Sequence, residues 1–379
     1  MADIQLENLT KTYKDVTALN NVTLSVHDKE FLVLFGPAGA GKTTMLKMIA
    51  GLEIPDDGLI KINDEIVNIV NPANRNVSMV FENYALYPHL SVYDNIASPM
   101  RSKLYKESEE YIERAIKDVT TKMKIDTLYE RLPSQLSNGQ RQRVALGRCL
   151  VRKPNVFLMD EPLAHLDAKL RHFMRAELKE MQSSFNTTTI YVTHDYMEAL
   201  SLGDRIAIIN EGQIVQLGTG SELFYTPCNE FVAKLMGEPE INIIPAQIIR
   251  DKDVVKMRIM KQETLVELPE DVAEFFRHNK IDTVDLGVRG NDLSYSETQT
   301  DPEFMEGKVF VLEPIGNRSI LTVDIEEHHI RLIVPNDFQK EMDSTMYVKV
   351  DLTDTIFFDG ETTEFLVRHN QTNLVKGGK

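Results

Sequence analysis

A glycine-rich run after a short apolar run constrains the fold of this chain more than any other feature. The apolar run is FLVLF, from Phe31 to Phe35, and GPAGAGKTT, from Gly36 to Thr44, follows it directly. A continuous apolar run of this length is typical of a strand buried on both faces. The second run fits the pattern G-x4-G-K-[ST], whose glycines let backbone N–H groups converge on phosphates at the start of a helix. The chain is therefore predicted to hold a strand, a phosphate-binding loop and a helix in that order.

Each residue of this run is predicted to bind nucleoside triphosphate. Lys42 would neutralise the β- and γ-phosphates, and the Thr43 hydroxyl would ligate Mg²⁺. The predicted phosphate-binding residues are Gly36, Pro37, Ala38, Gly39, Ala40, Gly41, Lys42, Thr43 and Thr44.

Two other apolar runs end in ionisable side chains that suit triphosphate hydrolysis. VFLM is followed by Asp160 and Glu161, and TIYVT is followed by His194. Asp160 would hold Mg²⁺ through its water shell, as the acidic residue of phosphate-loop enzymes does. Glu161 would orient or deprotonate a water, and a positioned general base contributes about 10²- to 10⁴-fold. We predict Glu161, His194 and Lys42 as catalytic residues, with His194 donating to the γ-phosphate.

The segment LSNGQ, from Leu136 to Gln140, precedes the basic helical run RQRVALGRCL. Ser137 is predicted to be the N-cap of that helix, whose exposed N–H groups would bind an anion. In a single chain this helix end need not reach its own phosphate loop. The phosphate that it binds could therefore belong to another subunit.

Composition and charge bound the class of protein. The chain has 379 residues, 42% hydrophobic and 26% charged, which is enough for two or three globular domains. No apolar run approaches the roughly 18 to 20 residues of a membrane-spanning helix, and the N-terminus lacks the pattern of a secretory signal. Two cysteines without metal-ligand spacing indicate reduced thiols. We therefore predict a cytoplasmic protein whose role at a membrane would be peripheral.

Net charge is −16 and is spread unevenly. From Glu240 onward there are 16 Lys and Arg residues against 27 Asp and Glu residues, a balance of −11. An acidic C-terminal third is a poor electrostatic surface for nucleic acid, which we exclude as a partner.

The order of apolar runs predicts two domains. Residues 1–235 alternate short β runs with helical patterns, which is the signature of a parallel α/β sheet. A helical stretch from Glu109 to Leu132 separates the Val80 segment from LSNGQ, so a helical subdomain of about 88–152 is predicted as an insertion. Residues 236–245 are predicted as a linker. Residues 246–379 contain KVFVLE, SILTVDI, IRLIV and MYVKVDL, which predict an antiparallel β module.

Together these motifs resemble the ATP-binding subunits of ABC transporters. The resemblance implies that two subunits pair head to tail, with ATP between the phosphate loop of one and the LSNGQ helix of the other. Ser137, Gly139 and Gln140 would then act in trans, and Asp167 of AHLD would link the two sites. Tyr13 matches the aromatic residue that stacks on adenine.

VFENYALYPH, from Val80 to His89, resembles the Q-loop of this family, with Glu82 where glutamine is usual. In the family that side chain ligates Mg²⁺ and the loop contacts the transmembrane partner. Glu82, Tyr84 and Tyr87 are therefore predicted to contact a permease. A glutamate keeps an oxygen for the metal but adds a charge near Glu161, and like charges can raise a carboxyl pKa.

Further segments are similar to importers of the maltose and glycerol-3-phosphate class: NYALYPH, LDAKLR, FVAKLMGEPEIN, LGVRGNDL and FDGETTEFL. The resemblance implies an α/β P-loop NTPase, namely an ABC ATPase domain with a helical subdomain, plus a C-terminal all-β OB-like (TOBE-type) regulatory domain. It implies a homodimer that binds ATP and Mg²⁺, attached to the inner face of the membrane through a permease and served indirectly by a solute-binding protein.

The cargo and the coupling remain open at this level. Carbohydrate is the favoured cargo, with polyamine, iron, sulfate or molybdate as alternatives. A soluble ABC ATPase acting on DNA or ribosomes is a rival, as is a regulatory subunit that binds ATP but hydrolyses it poorly. His165 is unusual in its loop.

Overall fold

The computed structural model describes residues 3–81, 83–152, 154–164, 166–185, 187–252 and 254–370. The chain divides into two compact units, Met1–Gly220 and Ser221–Lys379. This division falls before the domain boundary predicted at 235. Its physical reason is that Glu230 N donates to Thr363 O and Phe365 N donates to Cys228 O, so backbone hydrogen bonds join residues 228–230 to a distant part of the second unit.

Strands and helices alternate in the first unit. They are β1 (Ile4–Tyr13), β2 (Val16–Val26), β3 (Phe31–Phe35), α1 (Lys42–Ala50), β4 (Asp57–Ile62), β5 (Glu65–Ile66), β6 (Val77–Val80), α2 (Val92–Ala97), α3 (Glu109–Lys122), α4 (Asn138–Leu150), β7 (Val156–Asp160), α5 (Ala168–Phe185), β8 (Thr188–Thr193), α6 (Tyr196–Leu202), β9 (Arg205–Asn210) and β10 (Gln213–Gly218). An antiparallel sheet has the order β2-β1-β4-β5, and a second sheet has the order β10-β9-β3-β8-β7-β6. In the second sheet all neighbours are parallel except the edge strand β10.

The parallel sheet explains why the predicted catalytic side chains lie close together. Strands β3, β7 and β8 are buried along their whole length, which confirms the burial predicted for β3 and β7 and the strand predicted at β8. Phe35 pairs with Thr193, and Asp160 pairs with Val192, so the three strands end at the same level. One apolar core joins both sheets to α1 through Met45, Leu46 and Ile49. The side chains that follow these strands therefore emerge at one edge of the sheet.

Helices α2, α3 and α4 pack on one another within the predicted helical insertion. A Cβ added to Gly147 of α4 would lie 3.2 Å from Val119 of α3 and 3.4 Å from Ile96 of α2. Helix α3 ends at Lys122 rather than at the predicted Leu132. Lys124 adopts the left-handed conformation with φ of 55°, which cannot continue an α-helix.

The second unit is rich in antiparallel strands. Its elements are α7 (Gly220–Tyr225), α8 (Glu230–Leu235), β11 (Asn242–Asp251), β12 (Val254–Ile259), β13 (Val266–Glu267), α9 (Glu270–His278), β14 (Thr283–Val288), β15 (Leu293–Ser296), β16 (Met305–Pro314), β17 (Arg318–Ile325), β18 (His328–Pro335), β19 (Thr345–Val350), β20 (Ile356–Asp359) and β21 (Phe365–Arg368). They form sheets of order β13-β12-β11-β14-β20-β21 and β15-β19-β16-β17-β18. The four strands predicted from KVFVLE, SILTVDI, IRLIV and MYVKVDL are confirmed as β16 to β19.

Two features of this unit depart from the prediction. Strand β11 begins at Asn242, inside the segment 236–245 that was predicted as a linker. Helix α9 was not predicted, and it buries Val272, Ala273 and Phe276 against the strands. One apolar core runs through both sheets of the unit. Over the part of the chain that the structure describes, the helices are too short or too polar to cross a bilayer.

Candidate functional site

The phosphate loop, Gly36 to Thr43, joins β3 to α1. Gly39 and Gly41 adopt φ of 80° and 105°, which side-chain-bearing residues rarely reach. A Cβ on Gly41 would also lie 2.4 Å from the carbonyl oxygen of Ala18, and one on Gly36 would lie 2.1 Å from that of Ile209. Glycine at these positions is therefore required by backbone conformation and by close approach of neighbouring strands.

Lys42 is folded back over this loop. Its Nζ donates to the carbonyl oxygens of Gly36 and Pro37, at 2.8 Å in each case, and the residue is only 5% exposed. Burial lowers the pKa of Lys42, while the carboxylates of Glu161 and Asp160 oppose that shift. The ammonium group is thus held by two backbone carbonyl groups of the loop, near the carboxylates of Glu161 and Asp160.

Asp160 and Thr43 bring two oxygen ligands together. The Thr43 Oγ1 donates to Asp160 Oδ1 at 3.0 Å, and Asp160 is 7% exposed. Hard oxygen donors of this kind suit Mg²⁺, which usually keeps several waters and takes one or two protein ligands plus substrate phosphates. Among the described residues no cluster of three or more His, Cys, Asp or Glu could hold a metal ion. Glu82, the third predicted ligand, lies outside the described residues.

Glu161 and His194 face each other beside this pair. Glu161 has φ of 44°, and its N–H donates to Val192 O at 3.1 Å. His194 Nδ1 lies 2.8 Å from Glu161 Oε2. With the carboxylate ionised, the proton of this hydrogen bond is on Nδ1, so Nε2 of a neutral ring is an acceptor. Donation to a phosphate from Nε2 therefore requires the imidazolium form.

The LSNGQ segment is satisfied locally at the start of α4. Ser137 Oγ accepts from Gln140 N at 3.3 Å, and Gln140 Oε1 accepts from Ser137 N at 3.0 Å, which is a capping box. Gly139 is buried in the first turn. Among the described residues, Ser137, Gly139 and Gln140 make no hydrogen bond to the phosphate loop. The structure of this chain therefore does not join the two predicted phosphate-binding elements.

The structure places Tyr13 in the β1–β2 hairpin and Asp167 directly before α5. Tyr13 is at the end of β1, pairs with Val16, and is 39% exposed, with Lys11 Nζ 5.4 Å from its ring centroid. Two residues beyond Val16, the carbonyl of Ala18 is the group close to Gly41, so this hairpin end lies near the phosphate loop. Asp167 precedes α5, and its carbonyl accepts from Arg171 N. His165 lies outside the described residues.

Arg148 is a residue that the sequence interpretation missed. It donates from Nη1 to Ala85 O at 2.7 Å and from Nη2 to Tyr84 O at 3.0 Å. Its guanidinium also lies 5.5 Å from the ring centroid of Tyr87. The basic run in α4 could have signalled such a role, although the partner lies far away in sequence. Arg148 thus fixes the Tyr84–Tyr87 segment against α4.

The chain matches known proteins over much of its length. The ABC transporter family profile matches residues 19–164. The chain is 51% identical to an sn-glycerol-3-phosphate import ATP-binding protein of Roseobacter denitrificans over 65% of this chain and 68% of that protein. It is 49% identical to a trehalose/maltose import ATP-binding protein of Thermococcus litoralis, over 66% and 68%.

The similarity also extends along almost the full chain. An sn-glycerol-3-phosphate import ATP-binding protein of Psychromonas ingrahamii is 38% identical over 93% of this chain and 97% of its own length. Among solved structures, the post-hydrolysis dimer of the ATP-binding cassette MJ0796 with ADP and Pi aligns at a TM-score of 0.53 and 30% identity, covering 57% of this chain and 98% of that one.

Proposed function

Because this chain belongs to the ATP-binding proteins of ABC transporters, we propose that it hydrolyses ATP to drive carbohydrate import through a membrane permease. ATP hydrolysis is the activity of the family, and the import direction follows from relatives named as import proteins. The cargoes in their names, sn-glycerol-3-phosphate and trehalose or maltose, support a sugar or a related polyol phosphate as the solute. Since a further relative of 38% identity is named for osmoprotective compounds, cargo varies within this class.

The observation that carries this proposal is the hydrogen bond between His194 and Glu161 at the edge that also holds Lys42, Thr43 and Asp160. Lys42 and the backbone N–H groups of the phosphate loop would bind the β- and γ-phosphates. Thr43 and Asp160 would hold Mg²⁺, which when bound would neutralise developing phosphate charge. Glu161 would orient the attacking water, and His194 as imidazolium would bond both Glu161 and the γ-phosphate.

Two copies would complete each site. The solved cassette MJ0796 is dimeric, which supports a dimer here. In the proposed pair, Ser137, Gly139 and Gln140 of one copy would bind the phosphate held by the loop of the other. The Gln140 N–H is already bonded to Ser137 Oγ, so the contact would use the other N–H groups that the first turn of a helix leaves without an intrahelical partner. Asp167 would link the two sites, and Tyr13 would stack on adenine.

The segment held by Arg148 is our proposed contact with the permease. Tyr87 is 47% exposed, yet its ring and the carbonyls of Tyr84 and Ala85 are fixed from behind by Arg148. A pre-organised aromatic side chain loses little entropy on docking, which favours it as an interface anchor. Glu82 of the Val80–His89 run, which lies outside the described residues, is also proposed to contact the permease and Mg²⁺. The protein would then lie at the inner face of the membrane.

The test is affinity isolation of the tagged full chain from gently solubilised membranes, followed by ATPase assays of what is recovered. We expect a polytopic permease to accompany the chain and ATP turnover to rise when the solute and its binding protein are supplied. Tyr87→Ala should reduce permease recovery at least fivefold, whereas Tyr111→Ala, similarly exposed on α3, should not. Recovery without any membrane protein would contradict transport and favour a soluble ABC ATPase. Permease recovery without ATP turnover would favour the regulatory-subunit alternative.

A further inference from the structure

The structure points to Arg171 as a positioning residue that couples the Leu166–Asp167 backbone to the turn carrying His194. This inference rests on the ATPase proposed above and adds a route by which the segment before α5 sets the geometry of the hydrolytic histidine. It concerns a side chain that would touch neither nucleotide nor metal.

Arg171 occupies the first turn of α5 and reaches in two directions. Its backbone N–H donates to Asp167 O at 2.8 Å, and its Nη2 donates to Leu166 O at 3.2 Å. Its Nη1 donates to Asp195 Oδ2 at 3.2 Å. One planar guanidinium therefore binds the backbone before α5 and the residue directly after His194.

Asp195 transmits this contact to the histidine turn. Its Oδ1 caps α6 by accepting from Met197 N at 2.8 Å and Glu198 N at 3.2 Å. Its own N–H donates to Thr193 Oγ1 at 3.0 Å. His194 lies between Thr193 and Asp195, so both neighbours of the catalytic ring are fixed by hydrogen bonds. Moving Asp195 would thus rotate the backbone that aims the imidazole at Glu161.

Glu198 anchors the other side of the turn. This buried carboxylate accepts from Thr193 Oγ1 at 2.7 Å and from Tyr191 OH at 2.8 Å. Burial raises the pKa of Glu198, while these two donors and Arg171 oppose the rise. The turn is therefore held to β8 and α6 through Glu198 and to the α5 segment through Arg171.

The geometry argues against an ordinary surface ion pair. The side chains of Arg171 and Asp195 are 32% and 22% exposed, and an ion pair this open to solvent adds little to stability. The Nε of Arg171 is nevertheless buried without a hydrogen-bond partner, which is unfavourable. The hydrogen bonds of the two Nη atoms to different segments offset this loss. A lysine, with a single compact ammonium, cannot reproduce this fork.

The experiment compares Arg171→Ala and Arg171→Lys with Arg175→Ala, which removes the same charge one turn further along α5. Full-length proteins are assayed for kcat and KM of ATP hydrolysis and for the Kd of ATP in the Glu161→Gln background. We expect kcat to fall at least tenfold in both Arg171 variants, with the Kd for ATP within twofold of the parent. Arg175→Ala should retain the parent kcat.

A double-mutant cycle tests the route itself. Asp195→Asn keeps an α6 cap, since Asn is as good an N-cap as Asp, but weakens the acceptor for Arg171. If Arg171 acts through Asp195, the loss of kcat in the double variant should be smaller than the product of the two single losses. Multiplicative losses would overturn the route through Asp195.

Amide hydrogen exchange tests the role of Arg171 without depending on ATP hydrolysis. Arg171→Ala should speed amide exchange at Asp195 to Ala199 at least fivefold while leaving α1 unchanged, whether or not the chain turns over ATP. Equal exchange in both proteins, or equal kcat for Arg171→Ala and Arg175→Ala, would overturn the coupling. A parent protein without turnover but with the predicted exchange difference would count against the proposed function only.

Discussion

The two units of the chain handle buried charge in opposite ways. In the first unit, the ammonium of Lys42 lies near the carboxylates of Asp160 and Glu161, so opposite charges gather at one sheet edge. In the second unit, two carboxyl groups meet. Oε2 of Glu230 accepts from Lys234 at 2.9 Å, but its Oε1 is buried and has no donor while Asp285 is ionised. Burial and the Glu230 carboxylate raise the pKa of Asp285 to about 6.

Because of this difference, substitutions at the two sites should affect different properties of the protein, namely ATP turnover and folding stability. At the nucleotide edge each charge faces a partner of opposite sign, so substitutions there should alter turnover more than folding. In the second unit a proton on Asp285 supplies the hydrogen bond that Glu230 lacks, so substitutions there should alter folding and its pH dependence. The following predictions test that separation, from the largest expected effect to the smallest.

Glu161→Gln should lower kcat by about 10²- to 10⁴-fold, because the amide cannot accept the proton of water. The thermal midpoint should stay within two degrees of the parent, since the amide keeps an acceptor for His194. Steady-state phosphate release and calorimetry measure the two quantities. Glu53→Gln, in the bend after α1, is the charge-matched control. A variant that keeps parent turnover would contradict the role of Glu161.

Phe276→Ala should destabilise the second unit by about 3–5 kcal/mol, the usual cost of emptying a buried phenylalanine site. Phe276 is fully buried and its ring lies 5.2 Å and 5.8 Å from those of Phe275 and Phe357. Calorimetry should show one transition moving to lower temperature, while ATPase activity below that transition is retained. Phe310→Ala, at a half-exposed site, should move the transition little. Equal shifts for both variants would contradict the assigned core.

Asp285→Asn should stabilise the second unit by about 1 kcal/mol at pH 7.5 and change nothing near pH 4. For a fully buried group, a pKa shift of this size would correspond to a larger free energy of unfolding than about 1 kcal/mol. Asp285 is only partly buried, so solvent screening reduces that free energy. Because the folded pKa lies above the usual 3.8, the contribution of the protonated pair is complete below that value and is lost as pH rises through about 6. The other charged groups that face Asp285 are Lys234 and His328, which both oppose the rise.

Amide exchange in β14 as a function of pH provides the measurement. The parent should exchange faster as pH rises from 4 to 7, after correction for intrinsic rates, and the Asn variant should lose most of that extra slope. Asp337→Asn, on an exposed loop, is the control. An unchanged slope in Asp285→Asn would show that the pair does not carry the pH dependence.

Ser137→Ala should cost α4 about 1 kcal/mol, and Ser137→Gly only a few tenths, because glycine is tolerated at an N-cap. Both variants remove the hydroxyl that is proposed to bind a phosphate in trans. If that hydroxyl contributes to the dimer, ATP-dependent association should weaken equally in both, although their helix stabilities differ. Sedimentation with ATP measures dimerisation, and amide hydrogen exchange at Gln140 measures the stability of the first turn of α4. Dimerisation that follows helix stability instead would contradict the proposed contact.

Features that depend on residues close together in the sequence could be predicted. The phosphate loop could be recognised because glycines, Lys42 and Thr43 are contiguous, and the buried strands because their apolar runs are unbroken. The cap formed by Ser137 and Gln140 is equally local. Each of these depends on neighbours within a few residues, which a single sequence displays directly.

Contacts between distant residues could not be predicted in the same way. The bond between Cys228 and Phe365 moves the unit boundary to Gly220, but nothing in either segment identifies the other. Arg171 looks like any charged residue at the start of a helix until Asp195 is placed beside it. Likewise, Glu230 and Asp285 each fit an exposed surface, and their shared burial depends on how α8 meets β14.

The environment of Cys149 in α4 has a practical consequence for labelling experiments. Burial raises the pKa of this thiol to about 11, and its Sγ–H donates to Met79 O at 3.4 Å. At pH 8 only about one molecule in a thousand would carry the reactive thiolate. Cys228, half-buried and also with a raised pKa, is the one other cysteine of the chain. Replacing Cys228 alone would therefore give a nearly silent background, on which a single introduced cysteine could carry a spin label or fluorophore to follow subunit closure.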